Sequence, residues 1–244
     1  RMMKEVSETL AGRVGIMPMH GLSNSEISGS GFPAFAVDPD ELIGRMDKAS
    51  PMGVTEVFDR IYKGSMPRLY ELEDVNTDIY YESYIDTYLS RDIRDLKQVG
   101  DLTAFLNFVK LVAARTATNV NYDALAREAG ISAPTAKQWL SVLVSSGLVI
   151  LVEPYFNNAL KRVIKAPRMY FIETGLCAYL MGWSSGAVLE NSSMSGAFFE
   201  TWVVGEIYKS YLNAGKKPPM YFYRDSNRKE IDVILYRDGV VNPI

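Results

Sequence analysis

One cysteine and one histidine occur in 244 residues, and each scarcity excludes a class of chemistry. Cys177 alone cannot form an internal disulfide or a cysteine-cluster zinc site, and His20 alone cannot build a histidine-rich metal centre. Cys177 lies in an apolar helical stretch, Gly175-Leu176-Cys177-Ala178-Tyr179-Leu180, with no partner base nearby in sequence. Both residues therefore read as packing or surface positions rather than catalysts. Long apolar runs are missing as well. No stretch approaches the ~18 residues of a membrane span, and Arg1-Met2-Met3-Lys4-Glu5 has no apolar signal core behind its charges. A cytoplasmic protein without a membrane partner is expected. The phosphate loop G-x-x-x-x-G-K-[ST] is also absent, since Gly215-Lys216-Lys217 lacks the upstream glycine and the hydroxyl and reads as a solvated turn. No cofactor is expected in this chain by itself.

What is present has the balance of an ordinary globular protein, 48% hydrophobic and 23% charged, enough for a sizeable core. The net charge of −3 argues against wholesale nucleic-acid binding, but charge is unevenly distributed. Residues 71–101 hold nine acids and three bases, whereas residues 108–170 hold eight bases (Lys110, Arg115, Arg127, Lys137, Lys161, Arg162, Lys165, Arg168) and three acids. An anionic partner would be met in the basic window.

Hydrophobic spacing predicts a helix over residues 6–10 and a short buried strand over 14–19, followed by a Gly-, Ser-, Pro- and Asp-rich loop over 21–51 with at most a short helix near 41–47. Helices are predicted over 54–62 and 78–95. In the second, Ile79, Tyr81, Tyr84, Ile85, Tyr88 and Leu89 recur at three- and four-residue spacing, which makes the tyrosines core residues with wet hydroxyls.

The next block predicts a helix over 102–116, then a short helix capped by Asn121 and running to 129, with Leu125 and Ala126 inward. Gly130-Ile131-Ser132 reads as a turn, because glycine tolerates the left-handed conformation and Ser132 can cap the helix that follows. That helix, over 133–146, would bury Ala136, Trp139, Leu140 and Leu143, with Pro134 in its first turn, where no donor is missed. An apolar strand over 148–152, a turn at Asn157-Asn158 and a basic strand over 160–165 complete a winged helix-turn-helix. Beyond a glycine- and serine-rich stretch at 182–195 come a long helix over 196–212, strands over 220–224 and 230–236 joined by a polar turn, and a further strand begun at 240–244. One helix with two to three strands has no finished core, so this last unit is expected to be incomplete.

Several runs together resemble bacterial and archaeal AAA-type ATPases that carry a winged-helix segment and a nuclease-like C-terminal domain of unknown function. Val6-Ser7-Glu8-Thr9-Leu10-Ala11-Gly12-Arg13, followed by Leu22-Ser23-Asn24-Ser25-Glu26, is similar to the segment after the sensor strand. Gly64-Ser65-Met66-Pro67 and Tyr88-Leu89-Ser90-Arg91-Asp92-Ile93 resemble the helical lid. Asn157-Asn158, Lys161-Arg162, Lys165-Ala166-Pro167-Arg168 and Glu173-Thr174-Gly175-Leu176 resemble the winged segment. Gly196-Ala197-Phe198-Phe199-Glu200, Tyr223-Arg224-Asp225 and Glu230-Ile231-Asp232 resemble the C-terminal domain.

The resemblance implies an α+β chain with four parts: the tail of an AAA ATPase domain over 1–50, a helical lid over 51–101, a winged helix-turn-helix over 102–182, and an incomplete restriction-endonuclease-like α/β domain of the PD-(D/E)xK type over 183–244. The phosphate loop and magnesium-binding acid are expected before Arg1, and the final Glu-x-Lys pair after Ile244. ATP and Mg²⁺ are thus expected cofactors of a parent protein. Arg13 would sit near the nucleotide as a sensor or finger residue, the competing reading being a helix-terminal arginine in a surface pair. Thr135, Lys137, Gln138 and Ser141 would face a groove of double-stranded DNA, and Lys161, Arg162, Lys165 and Arg168 would meet its phosphates. Winged helices also dock proteins, so a protein partner stays open. Glu200 and Asp232 resemble the first two acids of the nuclease fold, which hold magnesium. The alternatives are a non-catalytic regulatory module and a magnesium-dependent DNA nuclease.

Overall fold

Short polar side chains set most of the helix starts. Ser23 and Glu26 form a reciprocal capping box, and Asp38, Asn76, Asp101, Asn121 and Ser132 each accept a backbone N–H of the first turn they precede. The computed structural model describes residues 17–31, 33–71, 75–89, 101–156, 166–225 and 229–244. Within them run α1 (Asn24–Ile27), α2 (Pro39–Met46), α3 (Val54–Lys63), α4 (Arg68–Glu71), α5 (Thr77–Tyr84) with a π-helical turn over Ile85–Leu89, α6 (Leu102–Ala113), α7 (Tyr122–Ala129), α8 (Ala133–Ser145), α9 (Thr174–Leu180), α10 (Gly186–Glu190) and α11 (Ser195–Asn213). The strands are β1 (Thr118–Asn119), β2 (Val149–Pro154), β3 (Arg168–Phe171), β4 (Met220–Arg224), β5 (Glu230–Arg237) and β6 (Val240–Pro243). The chain is mixed α+β, and among the described residues the strands form one six-stranded sheet in the order β1-β3-β2-β4-β5-β6.

The helix-turn-helix follows its sequence signals closely. Gly130 takes φ 68°, ψ 31°, the left-handed geometry that ends α7. Ser132 caps α8, and Trp139 is only 3% exposed, its ring edge-on to Phe105 and Phe108 with centroids 5.3 and 5.6 Å away. Around it Leu125, Leu140 and Leu143 join Phe58, Ile61 and Leu69 of the preceding helices in one apolar core. β2 and β3 form an antiparallel ribbon, Val149 opposite Phe171 and Val152 opposite Arg168.

A second core joins the C-terminal segment to the strands that precede it. β2 pairs in parallel with β4, Glu153 opposite Tyr221 and Pro154 opposite Phe222, so the ribbon and the C-terminal hairpin share one sheet. Ile150, Val152, Tyr170 and Ile172 supply one part of this core, and Val204, Ile207 and Tyr211 of α11 with Met220, Phe222, Val233 and Leu235 supply the rest. The C-terminal helix and hairpin, read from the sequence as a separate unit, thus share their apolar surface with β2 and β3.

Other expectations need correction as well. Met17 and Met19, read as part of a buried strand, are 81% and 91% exposed with no strand assignment; Pro18 between them offers no N–H to a ladder. Ile79 is 63% exposed, leaving Tyr81 as the buried residue of α5. The Tyr81 hydroxyl is not wet, for it donates to Lys63 O at 2.9 Å and to Glu173 Oε1 at 3.0 Å. Glu173 also accepts from the Ser65 amide at 2.9 Å and the Ser65 hydroxyl at 2.5 Å. The backbones meet closely enough here that a Cβ on Gly175 would lie 2.6 Å from Lys63 O. The glycine- and serine-rich stretch holds α10, whose Leu189 is fully buried against the helical core.

Candidate functional site

Two places concentrate the polar side chains singled out by the sequence. The first is the outer side of α8. With Ala136, Trp139, Leu140 and Leu143 turned inward, Lys137, Gln138 and Ser141 are exposed on the opposite side, as a 3.6-residue period requires. Thr135 is half-buried and already engaged, its amide donating to Ser132 Oγ at 3.2 Å and its hydroxyl paired with that oxygen at 2.7 Å. The Ser141 hydroxyl donates to Gln138 O at 2.7 Å. Arg127 and Lys110 are exposed on neighbouring helices, while Arg115 is bound to Glu128.

The second place is an ionic centre where β3, β5 and α11 meet. Arg168 opens β3, and its guanidinium reaches three acids: Nη1 donates to Glu200 Oε1 at 3.1 Å and to Asp232 Oδ1 at 2.9 Å, and Nη2 donates to Glu230 Oε1 at 3.0 Å. Glu230 and Asp232 face the same way because alternate residues of a strand share a face. The Tyr170 hydroxyl donates to Glu200 Oε1 at 2.8 Å, and the guanidinium lies 4.8 Å from the centre of the Phe222 ring. Arg224 adds a second contact to Glu230 at 3.2 Å. Burial raises the Glu200 carboxyl above the usual range, opposed by the Tyr170 hydrogen bond, reinforced by the charge of Asp232 and opposed again by Arg168. Burial pushes the Tyr170 hydroxyl up, and the charge of Glu200 adds to that.

Arg168 was expected to meet DNA phosphates from an exposed wing. It is 5% exposed and faces the acids, because a charge at that depth needs partners and the acids supply them. Arg13, Lys161, Arg162 and Lys165 lie outside the described residues. Cys177 is fully buried in α9, and burial raises its thiol. His20 is half-buried, its Nδ1 3.2 Å from Gly147 O and its ring edge-on to Tyr208.

The acids were expected to hold magnesium. The structure brings Glu200 and Asp232 to one nitrogen, but that nitrogen belongs to a guanidinium. A magnesium ion takes oxygen ligands at about 2.0–2.1 Å, and the facing lone pairs are already given to Arg168. Among the described residues no group of three His, Cys, Asp or Glu side chains has the arrangement of a metal site. The residues as arranged do not fit the ion.

A family model described as a domain of unknown function (DUF8612) matches residues 54–187, more than half of the chain. The chain belongs to the DUF8612 family. A second model, a domain of unknown function (DUF4143), matches residues 195–244. Arg168 and α8 fall within the first match and Glu200, Glu230 and Asp232 within the second, so the ionic centre joins the two. Similar proteins are the uncharacterized proteins Mb2031c of Mycobacterium bovis and Rv2008c of Mycobacterium tuberculosis, each 24% identical over 235 residues and covering 96% of this chain. The chain spans about half the length of these relatives, 46% in each case. No solved structure matches. No helix among the described residues is long and apolar enough to cross a membrane.

Sequence reading paired Glu200 with Asp232 but missed Glu230 as a third acid and Arg168 as their common partner. The alternation in Glu230-Ile231-Asp232 carried the signal for Glu230. No local signal could have linked Arg168 to acids 32 and 64 residues away. The Glu173, Ser65 and Tyr81 cluster was missed for the same reason, its members lying 92 and 108 residues apart.

Proposed function

We propose that this chain is the C-terminal portion of an AAA-type ATP-binding protein of the cytoplasm, in which the helix-turn-helix docks on double-stranded DNA and the nuclease-like segment supports it. The observation that carries the reading is the exposed side of α8, where Lys137, Gln138 and Ser141 project from a helix anchored beneath by Trp139. An amide and an ammonium on one exposed helical face are the groups that reach base edges and phosphates in a major groove. The match to DUF4143, a domain typically found with AAA ATPases, supports the placement within an ATPase. ATP and magnesium would belong to a part of the parent protein not represented by this chain, and Arg13 would approach the nucleotide from here.

Fluorescence anisotropy with a labelled duplex over a range of salt concentrations tests the reading. Phosphate contacts predict that log affinity falls linearly with log salt, by nearly one unit for each phosphate neutralised. Saturable binding with a slope of about −3 or steeper is expected from Lys137 and the wing bases Lys161, Arg162 and Lys165. No binding at low salt would overturn the DNA reading and leave the helix face as a protein-docking surface.

A further inference from the structure

We propose that the guanidinium of Arg168 is the resident cation of the acidic centre, and that Glu200, Glu230 and Asp232 form a cradle for an arginine rather than a site for a divalent ion. This does not depend on the DNA reading.

Three features of the geometry carry it. The acids come from two separate elements, α11 and β5, yet each places an oxygen 2.9–3.1 Å from a guanidinium nitrogen of the same side chain. Those distances lie within N–H···O hydrogen-bonding range, and the planar fork of arginine reaches oxygens on more than one side at once. Next, the Arg168 side chain is 6% exposed and held from below by the Phe222 ring, so the cation belongs to the core rather than reaching in from solvent. Finally, Arg168 stands opposite Val152 on the ribbon. The contacts therefore lock β3 to the helix and strand of the C-terminal segment.

An acidic metal site and an arginine cradle respond oppositely to loss of a carboxylate charge. In a vacant metal site the acids repel one another, so neutralising one relieves the fold, and magnesium stabilises it by binding the native state. In an arginine cradle every acid is needed, and neutralising one leaves a buried cation short of a partner. Thermal unfolding of the full chain should be followed for the wild type, Glu200→Gln and Asp232→Asn, in chelator and in millimolar magnesium chloride, with sodium chloride matched for ionic strength.

The cradle predicts a wild-type Tm unchanged by magnesium, and a Tm lowered by about 3 °C or more in Glu200→Gln in chelator, with a smaller drop in Asp232→Asn. Asp232 has the more exposed side chain, 53% against 24% for Glu200, and so contributes less. A Tm that rises on neutralising either acid, or a wild type specifically stabilised by magnesium, would overturn the proposal. Should one variant fail to fold, the other and the magnesium response of the wild type still decide.

Discussion

The two cores of this molecule are built in different ways. Around Trp139 the larger core is mostly helical, with Val149 of β2 and Met169 and Phe171 of β3 closing one side, and its members are apolar. The sheet core draws on strands and a helix from Ile150 to Leu235, and it is bordered by a buried arginine and three acids. The contrast teaches where each source of stability is strong. Apolar burial needs only the right period, whereas a buried charge demands partners in fixed places and fails if one is removed.

The sharpest way to break this contrast is to empty the helical core. Trp139→Ala should cost roughly 3–5 kcal/mol, the usual penalty for a deleted large aromatic, and denaturant unfolding should show it as a lowered midpoint with little change in slope. A cost under about 1 kcal/mol would mean that Trp139 is not the anchor of the helix-turn-helix.

A smaller effect is expected at Glu173, an acid buried beside the helical core. Glu173→Gln removes a charged acceptor from the Ser65 and Tyr81 donors and presents an amide N–H to one of them, at a cost of about 2 kcal/mol in chemical unfolding. A neutral result would show that Gly64 and Gly175, rather than the carboxylate, hold this junction.

The smallest effect is expected at His20, which touches both regions through Gly147 and Tyr208. Burial lowers its pKa, the Gly147 carbonyl partly opposes this, and the charge of Lys209 lowers it further. The fold therefore prefers the neutral ring. Its contribution is fully present above the ordinary value near 6.5 and is lost as the pH falls through the depressed folded value. Over that window the wild type should lose about 1–2 °C more in Tm than His20→Gln. Parallel pH profiles would remove His20 from the contact between the regions.

Legibility in the sequence followed the same division. Asn121, Gly130, Ser132 and Pro134 are local signals, and α7, the turn and the start of α8 fall where those residues placed them. The C-terminal helix and hairpin were legible for the same reason. The parallel pairing of Glu153 with Tyr221 was not, since no turn connects the two strands and nothing in either names its partner. Glu200 and Asp232 were visible as acids of interest. The cation between them was assigned outward, because an arginine in a basic window looks the same in sequence whether it faces solvent or a buried carboxylate.

Duplex binding by three proteins, wild type, a Lys137→Ala/Gln138→Ala double variant and Asp232→Asn, compared at one salt concentration by anisotropy, tests the central division most directly. If the exposed side of α8 is the working surface and the acidic centre is a support for Arg168, the double variant should bind about tenfold more weakly while Asp232→Asn stays within about twofold of the wild type. Loss of binding in Asp232→Asn, with the double variant unchanged, would contradict the account.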